Sequence, residues 1–235
     1  MLQFLAVPES FNAIEELAVF PLSTVLFPGA ILPLHIFEDR YKQLMKFALD
    51  NDGLFGLSYR RDAAISRETL PEIGSVGCVA KINVVIPLEE GRMNIISTGL
   101  IRYKIIAFQQ SIPFPVARIE SVSDDLEPGA DLNRTFDDIA DVCRRFLEAA
   151  QALDEANAPA QQDLPEDPEA FSLLVSSALP IENEAKQNLL EMTSTKLRLT
   201  RLRQYVTTAL AEYSDRLRIQ RRAKGNGHGR VHIDE

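Results

Sequence analysis

Residues 18–45 read A-V-F-P-L-S-T-V-L-F-P-G-A-I-L-P-L-H-I-F-E-D-R-Y-K-Q-L-M, and the fold turns on how this stretch is parsed. Its first part is apolar and β-branched, yet it carries Pro21, Pro28 and Pro33. Proline has no N–H to give to a ladder and is confined to strand ends, edges and bulges. The run therefore predicts short, bent edge strands wrapping a barrel. Leu17–Leu22 is one strand, Pro28-Gly29 a turn, and Ile31–Ile36 a second strand. The period then changes. Phe37, Tyr41, Leu44, Met45 and Ala48 recur at spacings of three and four, which is one face of a helix over residues 38–51. Asn51-Asp52-Gly53 supplies its stop.

The β character continues outward from there. Strand composition marks Leu54–Tyr59, Gly77–Ile86, Asn94–Ser97, Ile101–Phe108 and Val116–Val122, with Pro87–Gly91 as a hairpin connection. Residues 60–72 read as a loop. Gly99 is a bulge or bend, or equally a plain turn glycine. Many short strands punctuated by Gly and Pro suggest a small closed or half-closed barrel. After Asp124 the pattern is helical. Apolar periodicity covers Asp131–Leu153, and residues 154–168 read as an exposed linker. Asp167-Pro168-Glu169 forms a helix start, with a capping aspartate, proline at the first position and an acid near the positive dipole end. Pro180 stops that helix, a short one runs to Met192, and a long one follows the caps of Thr193-Ser194-Thr195.

The expected class is α+β. A β-rich half spans residues 10–123, an all-helical half spans 124–222, and residues 223–235 form a disordered tail. With 235 residues, 46% of them apolar, the chain has enough material for a sizeable core. Two cysteines, Cys78 and Cys143, are too few for a disulfide scaffold or a zinc site. They are expected to be buried reduced thiols, which points to the cytoplasm. The N-terminus lacks the pattern of a signal peptide, and no apolar run approaches the roughly 20 residues of a membrane span. The net charge of −9 argues against nucleic acid, but it hides an asymmetry. Residues 120–169 hold fifteen acidic against three basic side chains, and residues 196–230 hold ten basic against two acidic.

Four segments together resemble one family. They are the opening 18–45 stretch, Gly74–Ile82, Gly91–Ile105 with its G-x-x-R-x-x-I pattern, and the helical K-Q-x-L-L-E of 186–191 followed by Arg198-Leu199. In this order they are similar to the LON substrate-binding domain found at the N-terminus of Lon proteases. The resemblance covers about residues 15–213. It implies a PUA-like β pseudo-barrel followed by a C-terminal α-helical bundle, in agreement with the pattern read above. It also implies recognition of protein substrates for an ATPase. No phosphate-cradling G-x-x-x-x-G-K-S/T loop occurs, and no Ser–Lys pair can be placed in a protease-sized domain. Neither catalysis nor a cofactor is expected.

Several constellations are candidates for binding. His35, Glu38, Arg40 and Tyr41 sit where strand gives way to helix, and Phe114 stands between Pro113 and Pro115. These five form the expected peptide-binding set. Glu38, Asp39, Arg40 and Tyr41 have an alternative reading as a plain helix N-terminus with Tyr41 packed inward. The apolar segment 16–36 is a second contact candidate, since an edge strand accepts an extended peptide, although each proline removes a donor. Arg201, Arg216, Arg218, Arg221 and Arg222, with Arg198 and Arg203, flank the apolar stripe of the last helix. They pair inside the domain with the acidic helix, or they contact an anionic partner. His35 lacks a neighbouring nucleophile for catalysis. The His228/His232 spacing would suit a metal only on a helix, which the nearby glycines oppose.

The expected function is non-catalytic recognition of unfolded or exposed polypeptide, with a role as adaptor to a protease acting in trans. The alternative is a PUA-like RNA-associated protein that uses the basic terminal helix.

Overall fold

The structure, a computed structural model, describes residues 16–61, 70–153 and 164–226. Six strands and five helices follow in the order expected. They are β1 (Glu16–Leu22), β2 (Ile31–Ile36), α1 (Asp39–Asp50), β3 (Leu54–Tyr59), β4 (Val76–Pro87), β5 (Met93–Gln110), β6 (Val116–Val122), α2 (Gly129–Leu153), α3 (Pro168–Ala178), α4 (Asn183–Glu191) and α5 (Thr195–Asn226). The strand order is β2-β5-β4-β3-β1-β6, and β6 pairs with β5 as well as β1. Five strands thus close a ring, and β2 is left outside it as a true edge. The α+β class and the barrel-then-helices order are those read from the sequence.

The two strands expected over 94–97 and 101–108 are one strand, β5. Its first half pairs with β2 and β4, and its second half pairs with β4 and β6. Gly99 is the reason it can turn without breaking. The register with β4 slips between Cys78 and Ala80, opposite this glycine. The loop before β2 also docks here: the Gly99 amide donates to the Ala30 carbonyl at 2.9 Å, and its own carbonyl accepts from Gly29 at 2.9 Å. A Cβ at position 99 would lie 2.2 Å from the Phe27 carbonyl oxygen. Gly99→Ala is therefore expected to lower stability by about 1–3 kcal/mol, the usual cost of forcing atoms into a packed site. Urea unfolding measures it, and an unchanged midpoint would contradict the account.

Each face of the curved sheet contributes a buried cluster. On one, Leu17, Val19, Val79, Tyr103, Ile105 and Ala117 pack together. Tyr103 reaches over Gly56 and Gly77, and its hydroxyl shares a 2.7 Å hydrogen bond with buried Ser58. On the other face, Phe20, Phe55 and Leu57 meet Tyr41, Leu44, Met45 and Ala48 of α1, which is the apolar helix face expected from the spacing. The helical half has its own core of Ile139, Cys143, Phe146, Phe171, Leu199, Leu202 and Val206, and it takes in Phe27 and Val76 from the barrel. The expected caps are in place. Asp167 accepts from the Ala170 amide at 2.8 Å, and the Ser194 hydroxyl accepts from Leu197 at 3.1 Å. Helix α5 runs on to Asn226, so part of the expected tail is helical. Residues 227–235, with His228 and His232, lie outside the described residues, as do 154–163 of the expected linker.

Candidate functional site

The extension of the barrel carries an exposed apolar face. Cross-strand partners in an antiparallel sheet point the same way. The register places Ile31 beside Thr98, Pro33 beside Ile96 and Val84, and His35 beside Asn94 and Ile86. Residues one position along, such as Ile36 and Ile95, point into the core. The outward row is not covered by any described element. Ile31 is 58% exposed, Ile86 48% and the neighbouring Phe37 59%, and Val84 and Ile96 are also open. A contiguous exposed apolar patch on a sheet marks a contact surface rather than ordinary surface scatter.

The edge strand adds hydrogen-bonding capacity to this face. In an antiparallel ladder, paired and unpaired residues alternate. Counting from the bonded Gly99–Ala30 pair, Leu32, Leu34 and Ile36 face β5. The backbone groups of Ile31, Pro33 and His35 then face the open edge. Pro33 therefore stands where its missing N–H faces solvent, as a proline in a sheet must. An incoming strand finds two donors and three acceptors. The gap at Pro33 blunts indiscriminate edge pairing.

Of the five residues expected to bind peptide, the structure puts three at or beside this face and two in the core. His35 is exposed. Its Nδ1 donates to Asn94 Oδ1 at 2.7 Å, and its ring stacks on Phe37 at 5.8 Å. Glu38 and Arg40 form a partly buried ion pair at 3.1 Å, with the Arg40 guanidinium 4.4 Å from the Tyr41 ring centre. Tyr41 itself is buried against Phe20, with ring centres 4.2 Å apart. Burial pushes its hydroxyl pKa up. Phe114 is buried against Phe47.

The basic set divides as well. Arg201, Arg216 and Arg218 are exposed on α5. Arg216 lies over Tyr213, and Arg218 pairs with Asp215 one turn earlier. Arg221 and Arg222 fall in the last turns of α5, and their side chains lie outside the described residues. Arg198 is fully buried. Its partner is Asp124, in the segment joining the halves, and not the acidic helix.

That pairing belongs to a clasp between barrel and bundle which the sequence did not disclose. Arg102 of β5 and Arg198 of α5 both grip the Asp124 carboxylate. Thr195 also donates to it. Arg102 Nη1 donates to the carbonyls of Leu190 (3.1 Å) and Met192 (2.7 Å) at the end of α4. Arg198 donates to Met192 O at 2.7 Å and to Ser172 Oγ at 2.7 Å. The helix-end carbonyls that α4 cannot satisfy internally are thus met by arginines. Burial alone would raise the Asp124 pKa. The hydrogen bonds and charges of Arg198, with Thr195 and Arg102, outweigh it and hold the carboxyl below the usual aspartate range. Glu169, 3.3 Å from Arg102, is shifted the other way by burial and by the Asp124 charge.

No group of His, Cys, Asp and Glu among the described residues could hold a metal. Both thiols are buried. Burial pushes them up, Cys143 to about 12, so neither is a thiolate at neutral pH. Among the described residues, no helix is long and apolar enough to cross a membrane.

The comparisons with known proteins agree with this architecture. The profile of the ATP-dependent protease La (LON) substrate-binding domain matches residues 16–208. A Lon protease of Trichlorobacter lovleyi is 28% identical over 216 residues, covering 90% of this chain and 26% of that protein. One from Desulforamulus reducens is 23% identical over 192 residues, 81% of this chain and 24% of that protein. The chain therefore spans about a quarter of the length of the relatives it matches, and the match is to the substrate-binding domain rather than to catalytic domains. Two solved structures share the fold. The N-terminal domain of the Mycobacterium avium complex Lon protease has a TM-score of 0.59 at 21% identity, with 82% of this chain and 98% of that one covered. A Lon N-terminal domain protein from Xanthomonas campestris has a TM-score of 0.56 at 21% identity, covering 80% and 96%. Three residues of the segments that carry the resemblance are joints of this fold. Arg102 and Arg198 form the clasp, and Gln187 donates to the Val76 carbonyl at 2.8 Å. With its profile matched from β1 into α5, the chain belongs to the LON substrate-binding domain family.

Proposed function

We propose that the chain is a non-catalytic polypeptide-recognition module and that the β2 edge with its apolar face is where it binds. The observation that carries this reading is the outward row Ile31, Pro33, Ile96, Val84 and Ile86, continued by Phe37. An extended client segment adds as a strand along β2, bonding to the backbone of Ile31 and His35. Its alternate side chains lie on the apolar row. Main-chain bonding tolerates varied sequence, and the face selects apolar content. Both features occur in unfolded segments and are hidden in folded proteins. His35, with Glu38 and Arg40 beside it, borders the row and sets its polar rim.

Such a module delivers clients to a protease acting in trans. The test is fluorescence anisotropy with a labelled, permanently unfolded protein fragment. Saturable binding that persists at moderate salt is the expected result. Absence of saturable binding to any unfolded fragment overturns the reading. The RNA alternative has weaker support. Arg198 is committed to the clasp and Arg218 to Asp215, and recognition of unpaired bases needs stacking aromatics. Phe114, which stands between two prolines, is buried and offers no stacking face. RNA affinity falling steeply with salt would favour the alternative.

A further inference from the structure

The helical half carries a cleft that the client face does not use. Helix α4 turns part of its surface to the fold and part outward. Lys186 donates to the Ser177 carbonyl at 2.9 Å, and Gln187 donates to Val76. Ala185, Asn188, Leu189 and Met192 recur at spacings of three and four, so they share a different face. With Arg201 and Tyr205, one turn apart on α5, they line a cleft of about 300 Å³. That volume is at the small end for a ligand site. It suits one or two residues of a chain, not a long segment.

The polar side chains around the cleft are committed inside the fold. Gln187 also donates to Glu191 at 2.8 Å. Lys196 pairs with Asp131 at 3.3 Å, Thr200 donates to the Lys196 carbonyl at 2.8 Å, and Arg198 is held in the clasp. The three polar side chains that line the cleft are different. Asn188, Arg201 and Tyr205 have no side-chain hydrogen bond, ion pair or ring contact among the described residues. Asn188 and Arg201 are exposed and Tyr205 is half-buried. The cleft therefore offers an unneutralised guanidinium, a phenol hydroxyl, and a carboxamide that both donates and accepts. Beside them Ala185, Leu189 and Met192 supply an apolar floor.

We infer that this cleft takes the C-terminal residue of a client chain, with an aliphatic side chain on that residue. The inference rests on the polypeptide recognition proposed above and adds a second subsite to it. An exposed cation without a counter-charge complements a carboxylate, and guanidinium–carboxylate pairing is both strong and directional. The Tyr205 hydroxyl gives the same carboxylate a further donor, and the Asn188 amide matches the N–H and C=O of the last peptide group. A chain terminus carries its carboxylate, an N–H and a side chain on one carbon, and capture of that carboxylate is an established mode of peptide recognition. An Asp or Glu side chain ends at its carboxylate with nothing apolar beyond, so it leaves the floor uncovered. A phosphate group calls for more positive charge than the single cation of this lining.

The test is fluorescence anisotropy on the full chain with a short fluorescein-labelled unfolded peptide ending in leucine. It is made as the free acid and as the C-terminal amide. The acid is expected to bind at least about fivefold more tightly, the worth of roughly one hydrogen bond to a charged group. Arg201→Gln should erase that preference and leave the affinity for the amide at its wild-type value. Ile31→Asp with Ile86→Asp should not remove the preference. Arg201 is exposed, so the thermal midpoint of Arg201→Gln should match wild type. The comparison of acid with amide needs no variant at all. N-acetyl-leucine separates a client terminus from a free acid, and the peptide acid should bind at least about tenfold more tightly than it. Equal affinity of wild type for acid and amide overturns the inference and leaves the client reading standing. A preference that survives Arg201→Gln overturns it too, and N-acetyl-leucine bound as tightly as the peptide would assign the cleft to free carboxylic acids instead. Failure of both peptides to bind overturns the client reading, and the inference with it.

Discussion

Asp124→Ala is expected to lower stability by about 3–5 kcal/mol, the range for removing one partner of a buried ion pair. The upper end applies, because this single carboxylate serves two arginines, both nearly inaccessible to solvent. Arginine cannot shed its proton to escape, so the variant must bury Arg198 without a counter-charge and Arg102 with only Glu169 at 3.3 Å, or open the joint between barrel and bundle. For a chain of this size the thermal midpoint should fall by roughly 6–20 °C. The triple change Arg102→Met, Asp124→Leu, Arg198→Met should cost less than the single one, because it removes the charges together. A loss below about 1 kcal/mol for Asp124→Ala would contradict this account of the clasp.

The clasp also sets a pH dependence. The Asp124 pKa is lowered in the fold. Its stabilising contribution is therefore complete above the ordinary aspartate value of about 4, and it is lost as pH falls through the depressed folded value. Glu169, raised by burial and by Asp124, works in the opposite sense. Its penalty is present near neutral pH and is relieved as it protonates. Wild type should thus hold its stability down to about pH 4 and lose it below. Asp124→Asn should flatten the low-pH limb. Urea unfolding across the pH range reads both effects.

The second large effect concerns clients. Ile31→Asp combined with Ile86→Asp should weaken binding of an unfolded fragment at least tenfold. Each aliphatic side chain buried by the client contributes roughly 1.5–3 kcal/mol when fully covered, and 1.4 kcal/mol is a factor of ten. Both residues are about half exposed in the free protein, so the cost to folding should stay near the β-propensity scale of about 1 kcal/mol. Unchanged affinity in a folded double variant would remove the apolar face from the account.

How much of this was legible in the sequence differs between fold and site, for physical reasons. Pro33 announces the β2 edge, whereas Pro21 lies at the end of β1, a strand of the ring and not the edge strand expected; the spacing of Tyr41, Leu44, Met45 and Ala48 announces a helix. Backbone chemistry and periodicity are local properties. The client face is not local. Ile31, Val84, Ile86 and Ile96 look like any buried strand residues until the β2-β5-β4 register sets them side by side on an uncovered surface. The chemistry of Tyr41 and Phe114 suits a peptide site, yet an aromatic ring next to an apolar core is generally buried in it, as both are. The clasp was hidden for a similar reason. Arg102, Asp124 and Arg198 are far apart in the chain, and Arg198 sits among arginines that do face solvent. Arg102 and Arg198 lie in the segments that carry the family resemblance and Asp124 lies outside them, so that resemblance speaks to the fold far more than to the ligand.

The most direct test of the central claim is amide hydrogen exchange on the protein saturated with an unfolded client peptide. Strand addition along β2 predicts that the Ile31 and His35 amides, which face the open edge, slow by an order of magnitude or more when the client binds. Client binding that leaves these two amides unchanged, with protection appearing elsewhere, would contradict it.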